Sequence, residues 1–447
     1  MLSDIEAKAG IHYEIIKDPL YGYIMLYEHE KNIIDTPSFQ RLRRIKQLPS
    51  AHYVYPSATH TRFSHSLGVM HLSGLFLKHL LEPFRKRIDD DEFLHYYFLV
   101  RLWGLTHDLG HGPFSHTFDK VVLEKFGMNH EYMSSRIVQK DDEIASVLEE
   151  QLKDYMITPK VLAEYLGKSR EEWSGAKKLG KTEQTEAAFY YILKGFYSTD
   201  IIDYLLRDNY FTGAGYGNFD WQRLILSSHL HKDEVALEKK SRDALDAFLL
   251  SRLFSFNTIY YHRWSRVIDH MMKSFLIKAE QKIDFGNIAK DVKEYRKLDE
   301  ESIFYMDELK AIPESKMLQD RIIPFRQISE KRVRLEESSF TFLDEDDLSL
   351  LLANKLKSRI PRNAFFVDTP KLAFSPIEDE EVCMVDMSSS PPRISREKVR
   401  ETCIGDVPYS VWTIRLYLDV KYRDKREELR KAFEAMVSKE TKLQTHY

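Results

Sequence analysis

The stretch RLWGLTHDLGHGPFSH, residues 101–116, decides how the rest of the chain is organised. It begins as an apolar helical run, reaches His107 and Asp108, and breaks at Gly110 and again at Gly112, because glycine interrupts helices. A histidine beside an aspartate at the end of a buried helix costs free energy unless both side chains have partners. A metal ion is the partner that best accounts for this pair. The stretch therefore predicts a metal site at the end of a core helix.

The composition is that of an ordinary globular protein, and it excludes several classes of function. Of the 447 residues, 43% are hydrophobic and 30% charged, and the formal net charge is −4. Nucleic acid is therefore not expected as the main partner, because no global basic field would attract it. With only Cys383 and Cys403, a disulfide framework and a thiolate zinc site are excluded.

The N-terminal sequence and the hydropathy give no sign of secretion or of a membrane. The first ten residues, MLSDIEAKAG, lack the basic-then-apolar layout of a signal peptide. The chain also has no run of about eighteen apolar residues, the length that a spanning helix needs. We therefore expect a soluble, cytoplasmic protein with no membrane partner.

The hydrophobic pattern predicts a helical core for the larger, N-terminal part of the chain. Residues 11–34 alternate apolar and polar positions around a turn at Gly22, which predicts a strand pair. Residues 61–81 and 92–108 repeat apolar side chains at helical spacing, which predicts two helices. A further helix, capped near Ser198, would carry its polar side chains opposite its apolar ones.

Beyond about residue 285, short apolar segments alternate with charge, which predicts a smaller, mixed α/β lobe. Residues 378–393 are expected to form an exposed loop, and residues 423–438 the last helix. The expected fold class is therefore mainly α. We expect a helical core over residues 1–285 and an oligomerisation or regulatory lobe over residues 286–447.

Two histidines and two aspartates make up the predicted metal site, and each lies in or at the end of an apolar helix: His65, His107, Asp108 and Asp200. Two imidazoles with two carboxylates and no thiolate suit Fe, Mn, Zn, Ni or Mg. Such an ion lowers the pKa of bound water and polarises a phosphoryl oxygen, which points to hydrolysis. Spacing alone leaves open the alternative that each residue is satisfied within the core or at the surface.

Several segments resemble the HD-domain phosphohydrolases in residue type and in order: TRFSHSLGV (61–69), THDLGHGPFSHTFD (106–119), NHEYMS (129–134) and STDIIDYLLRD (198–208). Within that superfamily, DPLYGY (18–23) and DTPSFQRLRRIKQL (35–48) look like the deoxynucleoside triphosphate triphosphohydrolase branch. The similarity covers about residues 11–285. It implies an HD-type helical core that hydrolyses a dNTP to a deoxynucleoside and triphosphate.

The resemblance also implies a role for each matched residue. It implies metal ligation by His65, His107, Asp108 and Asp200. It implies catalysis by His111, His116, Asp119, His130 and Glu131. It implies sugar contacts by Gln47, Leu48, Tyr204, Asp208 and Tyr260, and phosphate contacts by Arg62, Arg252 and His262. Arginine suits phosphate because its planar fork binds two oxygens at once.

The catalytic set has a physical rationale and an alternative. A histidinium at His116 or His130 could stabilise phosphate charge or protonate the leaving 5′-oxygen. Asp119 or Glu131 could orient that imidazole and keep it charged. The alternative is capping or core hydrogen bonding, and for the basic residues a helix-surface ion pair such as Asp203 with Arg207, worth only tenths of a kcal/mol.

One residue departs from the family pattern beside the metal site. Ile201 stands where the resemblance leads us to expect a lysine that reaches the phosphates. Either Arg263, Arg266 or another basic residue compensates, or the substrate carries fewer phosphates.

The resemblance further implies a regulatory nucleotide site and a homodimer or homotetramer. Asp35, Gln40 and Arg43 match positions that read a guanine base, and Asp220 with Arg223 match a neighbouring activator position. The implied partners are a guanine-nucleotide or dNTP activator, with Mg²⁺ on the nucleotide phosphates. Glu14 and Lys17 replace residues of that site. The alternative role for the helix that contains Gln40 and Arg43 is packing at a subunit interface.

Two rival functions stay open on the sequence. One is a phosphohydrolase for another nucleotide or phosphate ester, which Ile201 favours. The other is a catalytically weak regulator that binds nucleotides or nucleic acid.

Overall fold

The computed structural model describes residues 13–167, 183–231, 234–334, 345–356, 359–370, 381–398 and 411–442. The N-terminal segment MLSDIEAKAG, Cys403 and the first three residues of the expected loop 378–393 lie outside them.

Helices dominate the described chain, and the fold class is confirmed as mainly α. The helices are α1 (Glu28–Ile34), α2 (Pro37–Gln40), α3 (Arg62–Leu81), α4 (Asp90–Thr106), α5 (His116–Val121), α6 (His130–Lys140), α7 (Asp142–Gln151), α8 (Pro159–Gly167), α9 (Glu183–Lys194), α10 (Thr199–Thr212), α11 (Trp221–Leu226), α12 (Arg242–Ser255), α13 (Arg263–Glu280), α14 (Phe285–Lys290), α15 (Val292–Tyr295), α16 (Glu300–Tyr305), α17 (Asp307–Lys310), α18 (Pro313–Gln319), α19 (Glu345–Lys355) and α20 (Arg426–Lys442). The predicted helices 61–81 and 92–108 correspond to α3 and α4.

The strands form three small sheets. They are β1 (Tyr13–Asp18), β2 (Gly22–Tyr27), β3 (Ser228–His231), β4 (Glu234–Glu238), β5 (Phe325–Arg334), β6 (Phe365–Asp368), β7 (Glu381–Asp386), β8 (Arg393–Lys398) and β9 (Val411–Asp419). The orders are β1-β2, β3-β4-β7-β8 and β5-β9-β6. Only the β4–β7 pair among these is parallel. The mixed α/β character expected beyond residue 285 is thus confirmed.

Two sequence expectations are wrong in part. The range 11–34 holds the predicted hairpin, but its last seven residues form α1, whose Glu30 binds the side chain of Arg101. The expected loop 378–393 contains β7, which lies inside a sheet between β4 and β8. The apolar run Val382–Val385 is buried there, and its acidic and Ser/Pro-rich flanks made it resemble a loop.

The core places α3 against α4 and so brings the metal-site candidates together. A Cβ on Gly104 of α4 would lie 2.9 Å from the backbone of Met70 of α3, so only glycine permits this close crossing. The main apolar cluster extends from Ile24 to Tyr417, and a second cluster, including Leu352, Ile414 and Phe433, fills the C-terminal lobe. The domain boundary near residue 285 stays a prediction.

None of the helices in the described ranges combines the length and apolar character needed to span a bilayer.

Candidate metal centre and active-site cavity

The four predicted metal ligands converge from three helices. His65 lies on α3, His107 and Asp108 follow α4, and Asp200 lies in the first turn of α10. The Oδ1 atom of Asp200 is 3.0 Å from Nε2 of His65 and 3.8 Å from Nε2 of His107. Asp108 places Oδ1 3.4 Å from Nε2 of His107 and Oδ2 3.7 Å from Nε2 of His65. Ligand atoms of His65, His107 and Asp200 all lie within 4.8 Å of one another, close enough for one ion.

The protonation of His107 fits a metal ion. Nδ1 of His107 donates to the carbonyl oxygen of Gly104 at 2.8 Å, so Nε2 carries the lone pair. That Nε2 is buried and has no hydrogen-bond partner among the described residues. Burial also lowers the pKa of His107, which keeps it neutral, the form that binds metal.

His65 lies in a field that attracts a cation. Burial alone would lower its pKa, but hydrogen bonds to Asp200 and Asp203 raise that pKa to about 10. Nδ1 of His65 lies 2.8 Å from Oδ2 of Asp203, and Nε2 faces Asp200. A carboxylate on one side of a metal-binding imidazole orients the ring and strengthens it as a ligand. The donor set therefore fits a divalent ion.

The residues behind His65 form a buried network. Asp203 and Arg207 are fully buried and paired, with Nε of Arg207 2.8 Å from Oδ2 of Asp203, so the alternative of a helix-surface pair does not hold for them. Arg207 also binds Asp18 at 3.0 Å, and the Tyr21 hydroxyl donates to Asp203 at 2.8 Å. The sequence contains a sign of this network, because Asp18 and Tyr21 belong to the DPLYGY motif.

Arg62 contacts Asp108, one of the metal-site candidates. Its Nη1 donates to Oδ2 of Asp108 at 2.6 Å, and its Nε donates to Oγ of Ser115 at 3.0 Å. Burial would raise the pKa of Asp108, but Arg62 beside it holds that pKa well below its usual range. Asp108 is therefore ionised. Arg62, which is predicted to bind phosphate, therefore contacts a predicted ligand of the metal ion.

A second cluster contains four of the five predicted catalytic residues. The rings of His111 and His130 stack with centroids 3.9 Å apart. Asp119 places Oδ2 2.5 Å from Nδ1 of His130 and 3.7 Å from Nδ1 of His116. Although burial opposes ionisation, the neighbouring imidazoles of His116 and His130 hold the pKa of Asp119 below its usual range. These four residues are also close enough to hold an ion.

The three imidazoles of this cluster differ in how far they are exposed to solvent. The fifth predicted catalytic residue, Glu131, has a different partner. The His116 side chain is 69% exposed, that of His130 is 23% exposed, and His111 is buried. Burial, with Arg62 and His130, lowers the pKa of His111, so this ring is neutral. Glu131 pairs with Lys194 of α9 instead of a histidine. Asp119 is therefore the carboxylate that can orient an imidazole here.

The loop between the two clusters is held tightly. A Cβ on Gly110 would lie 2.0 Å from the carbonyl oxygen of His130. Nη2 of Arg41 donates to the carbonyl of Leu109 at 2.5 Å, and the Tyr295 hydroxyl donates to the carbonyl of Gly110 at 2.7 Å. Downstream, Phe114 and Ser115 have positive φ values of 64° and 52°, a strained backbone that functional sites often contain.

A cavity of about 1000 Å³ joins the two clusters. Most predicted substrate contacts line it: Gln47, Leu48, Arg62, Tyr204, Asp208 and Tyr260. The described residues that line it do not include Arg252 or His262. Asp208 is buried, with Oδ1 2.7 Å from Nε2 of His60 and Oδ2 accepting the Tyr260 hydroxyl at 2.7 Å. Sequence reasoning missed His60, the last residue of the segment YPSATH (55–60).

Ile201 lines the same cavity, so the departure from the family pattern faces the site. Four further basic residues line the cavity besides Arg62: Lys120, Lys194, Arg266 and Lys273. Arg266, one of the expected substitutes, already binds Asp368 at 2.7 Å and Glu345 at 2.7 Å. Arg263, the other, is not among the described lining residues.

The predicted regulatory residues lie in local contacts. Gln40 donates to the carbonyl of Ile34, next to Asp35, and accepts from Arg43 at 2.8 Å. Asp220 caps α11 by accepting from the backbone of Arg223 at 3.0 Å. Glu14 and Lys31 form an ion pair at 2.5 Å. The regulatory assignment stays a prediction.

Comparisons with known proteins agree with these motifs. Residues 62–190 match the family described as HD domain, and residues 219–441 match the family described as HD associated region. The chain is 30% identical over 307 residues to the uncharacterised protein YwfO of Bacillus subtilis, covering 65% of each. It is 31% identical over 308 residues to the deoxynucleoside triphosphate triphosphohydrolase SAMHD1 of Homo sapiens, covering 64% of this chain and 48% of that protein.

The match spans between 45% and 65% of the length of these and similar curated relatives. Among solved structures, a hypothetical protein from Aquifex aeolicus superposes with a TM-score of 0.68 at 25% identity, covering 94% of this chain and all of that one. The similarity of fold therefore includes the C-terminal lobe.

Proposed function

The chain is an HD-domain protein with an HD-associated region, and we propose that it is a metal-dependent phosphohydrolase that cleaves a deoxynucleoside triphosphate with water to a deoxynucleoside and triphosphate. One observation carries the proposal. The metal-competent set around His107 and the imidazole–carboxylate set around Asp119 open onto one cavity large enough for a nucleotide. The relatives described as deoxynucleoside triphosphate triphosphohydrolases support this substrate class.

The residues that would hold a divalent ion of Fe, Mn, Zn, Ni or Mg are His65, His107, Asp108 and Asp200. When bound, such an ion lowers the pKa of water and withdraws charge from a phosphoryl oxygen. Asp119 lies 2.5 Å from Nδ1 of His130 and 3.7 Å from Nδ1 of His116, so it can orient one of these imidazoles to donate a proton to the leaving 5′-oxygen. Arg62, between Asp108 and Ser115, supplies positive charge beside the reacting phosphate.

The far wall of the cavity would hold the deoxynucleoside. Leu48, Tyr204 and Tyr260 offer apolar and aromatic surface, and Asp208 offers carboxylate oxygens to a sugar hydroxyl. Mg²⁺ would accompany the nucleotide phosphates. The proposal includes a guanine-nucleotide or dNTP activator at the regulatory residues and assembly as a homodimer or homotetramer, which rest on the family resemblance.

A second candidate is a phosphohydrolase for another nucleotide or phosphate ester. Ile201 favours it, because an isoleucine facing the cavity cannot bind phosphate charge. A catalytically weak nucleotide- or nucleic-acid-binding regulator is less well supported, because each polar cluster still offers at least three ligand side chains close enough to hold an ion.

A mass-spectrometric product assay over dNTPs, NTPs and monophosphates tests the proposal. It uses a panel of divalent metals, with and without GTP and dNTP activators, and elemental analysis of protein purified without chelator. We expect deoxynucleoside and tripolyphosphate from at least one dNTP, and no products from Asp200→Ala. Tripolyphosphate absent under every condition would exclude the dNTP assignment, and orthophosphate release would favour the second candidate.

A further inference from the structure

The β5-β9-β6 sheet, called here the C-terminal sheet, binds the backbone of a segment that lines the cavity. Nη1 of Arg415, on β9, donates to the carbonyl oxygen of Tyr261 at 2.7 Å. The Tyr417 hydroxyl, two residues along the same strand, donates to the carbonyl oxygen of Arg263 at 2.9 Å. Both side chains are buried, at 7% and 1% exposure. The two carbonyls flank His262, where the π-helical turn Phe256–Tyr260 gives way to α13.

The two donors are themselves fixed. Nε of Arg415 lies 3.1 Å from Glu330 on β5, and its Nη1 lies 3.5 Å from Asp368 on β6. The Tyr417 ring stacks on Phe366 with centroids 4.7 Å apart, and Phe366 stacks on His270 of α13 at 3.7 Å. Neither side chain can turn away without breaking buried contacts. The sheet therefore holds the segment in one position.

The segment that the sheet holds carries Tyr260, which lines the cavity and makes a short hydrogen bond. The Tyr260 hydroxyl donates to Oδ2 of Asp208 at 2.7 Å, and His60 lies 2.7 Å from Oδ1. A carboxylate has about four acceptor positions, so two remain on Asp208 for a ligand hydroxyl. π-Helical turns are rare and occur frequently at functional sites, so the contacts that support this one matter. A small shift of Tyr260 would leave Asp208 with one donor.

From these contacts we propose that Arg415 and Tyr417 are positioning residues for the substrate's sugar. They hold the backbone on both sides of His262, and through Tyr260 they orient Asp208 toward a hydroxyl of the deoxyribose. The C-terminal sheet is then part of the substrate site. This inference rests on the proposed nucleotide hydrolysis for its kinetic consequence, but its structural part can be tested without turnover.

Tyr417→Phe tests the proposal, because it removes one hydroxyl and keeps the ring stack. The matched control is Tyr97→Phe, which removes a buried hydroxyl that faces Tyr27, outside the cavity. Each variant is assayed with a dNTP that the wild type hydrolyses and with its 2′,3′-dideoxy analogue. We expect Tyr417→Phe to raise KM for the dNTP roughly fivefold to tenfold, the effect of about one hydrogen bond, with kcat changed less. The dideoxy analogue should show no such increase, and the control should match the wild type with both substrates.

Hydrogen exchange of the ligand-free protein supplies a readout that does not depend on activity. Backbone amides of residues 258–266 should exchange faster in Tyr417→Phe and in Arg415→Lys than in the wild type or in Tyr97→Phe. Unchanged exchange in both variants would overturn the proposal. Equal loss with the dNTP and the dideoxy analogue would also overturn it. A wild type that hydrolyses no nucleotide would defeat the proposed function, whereas the exchange result would still decide whether β9 holds this segment.

Discussion

Asp203 holds His65 from behind, with its Oδ2 atom 2.8 Å from Nδ1 of the imidazole, while Nε2 of the same ring faces Asp200. Removing such an outer carboxylate typically lowers metal affinity 10- to 100-fold. We expect Asp203→Asn to lose metal affinity in this range, measured by titration of metal-free protein. The control Asp284→Asn alters a helix cap at the surface and should bind metal normally. Equal affinity in the two variants would contradict the role given to Asp203.

Gly68 permits this arrangement. A Cβ at this position would lie 1.9 Å from Oδ1 of Asp203 and 2.6 Å from Nη2 of Arg207, so the buried pair would have to move. We expect Gly68→Ala to lower the free energy of unfolding by about 1–3 kcal/mol, as overpacking does, and to weaken metal binding. Gly167→Ala is the control, because its Cβ would meet nothing closer than 3.6 Å. Urea denaturation of the two variants gives the comparison.

Asp119 and Glu131 should differ in their contribution to catalysis. Asp119 contacts His130 and His116, whereas Glu131 pairs with Lys194. General acid catalysis contributes about 10²–10⁴ in rate, so Asp119→Asn should lower kcat by at least about 100-fold. Glu131→Gln should cost less than about tenfold. Single-turnover rates at saturating substrate and metal would measure both, and a larger loss in Glu131→Gln would reverse the assignment.

His29 should make the protein less stable in acid. Burial lowers its pKa to about 4, whereas the unfolded chain binds the proton near the ordinary value of 6.5. Between these values the unfolded state binds more protons, so stability is complete above about pH 6.5 and falls as the pH drops toward 4. The loss is about 3 kcal/mol at 1.36 kcal/mol per pH unit. The His29→Phe variant, which keeps a ring against Phe98, should show a shallower decline in chemical denaturation over this range.

The sequence predicted the parts of the site that lie in contiguous motifs. His107 and Asp108 are neighbours in the chain, and the helices on either side of them have clear apolar periods. The family resemblance of the motifs, in residue type and in order, then implied that this pair meets His65 and Asp200. The contacts that support them did not follow. Residue spacing alone cannot tell a buried Asp203–Arg207 pair from an exposed one, because both are four residues apart on a helix.

Long-range support was equally hidden from the sequence. Arg41 reaches the carbonyl of Leu298 257 residues away, and Arg415 reaches Tyr261 from a lobe whose pattern predicted only oligomerisation or regulation. Local periodicity carries no information about such pairings. The strand β7 was missed for a different reason, since its four apolar residues are flanked by residues typical of loops.

Tyr295 should couple stability to activity through one hydrogen bond. Its hydroxyl donates to the carbonyl of Gly110 at 2.7 Å, in the loop between the two polar clusters, from 185 residues along the chain. Tyr295→Phe leaves that buried carbonyl without this donor, which costs about 1–3 kcal/mol of stability. Because Arg41 still holds Leu109, the variant should fold. Its kcat should nevertheless fall by more than the loss of folded protein accounts for. Denaturation and kinetics measured together test this, with Tyr305→Phe as an exposed control. Full activity at reduced stability would show that the bond supports only the fold.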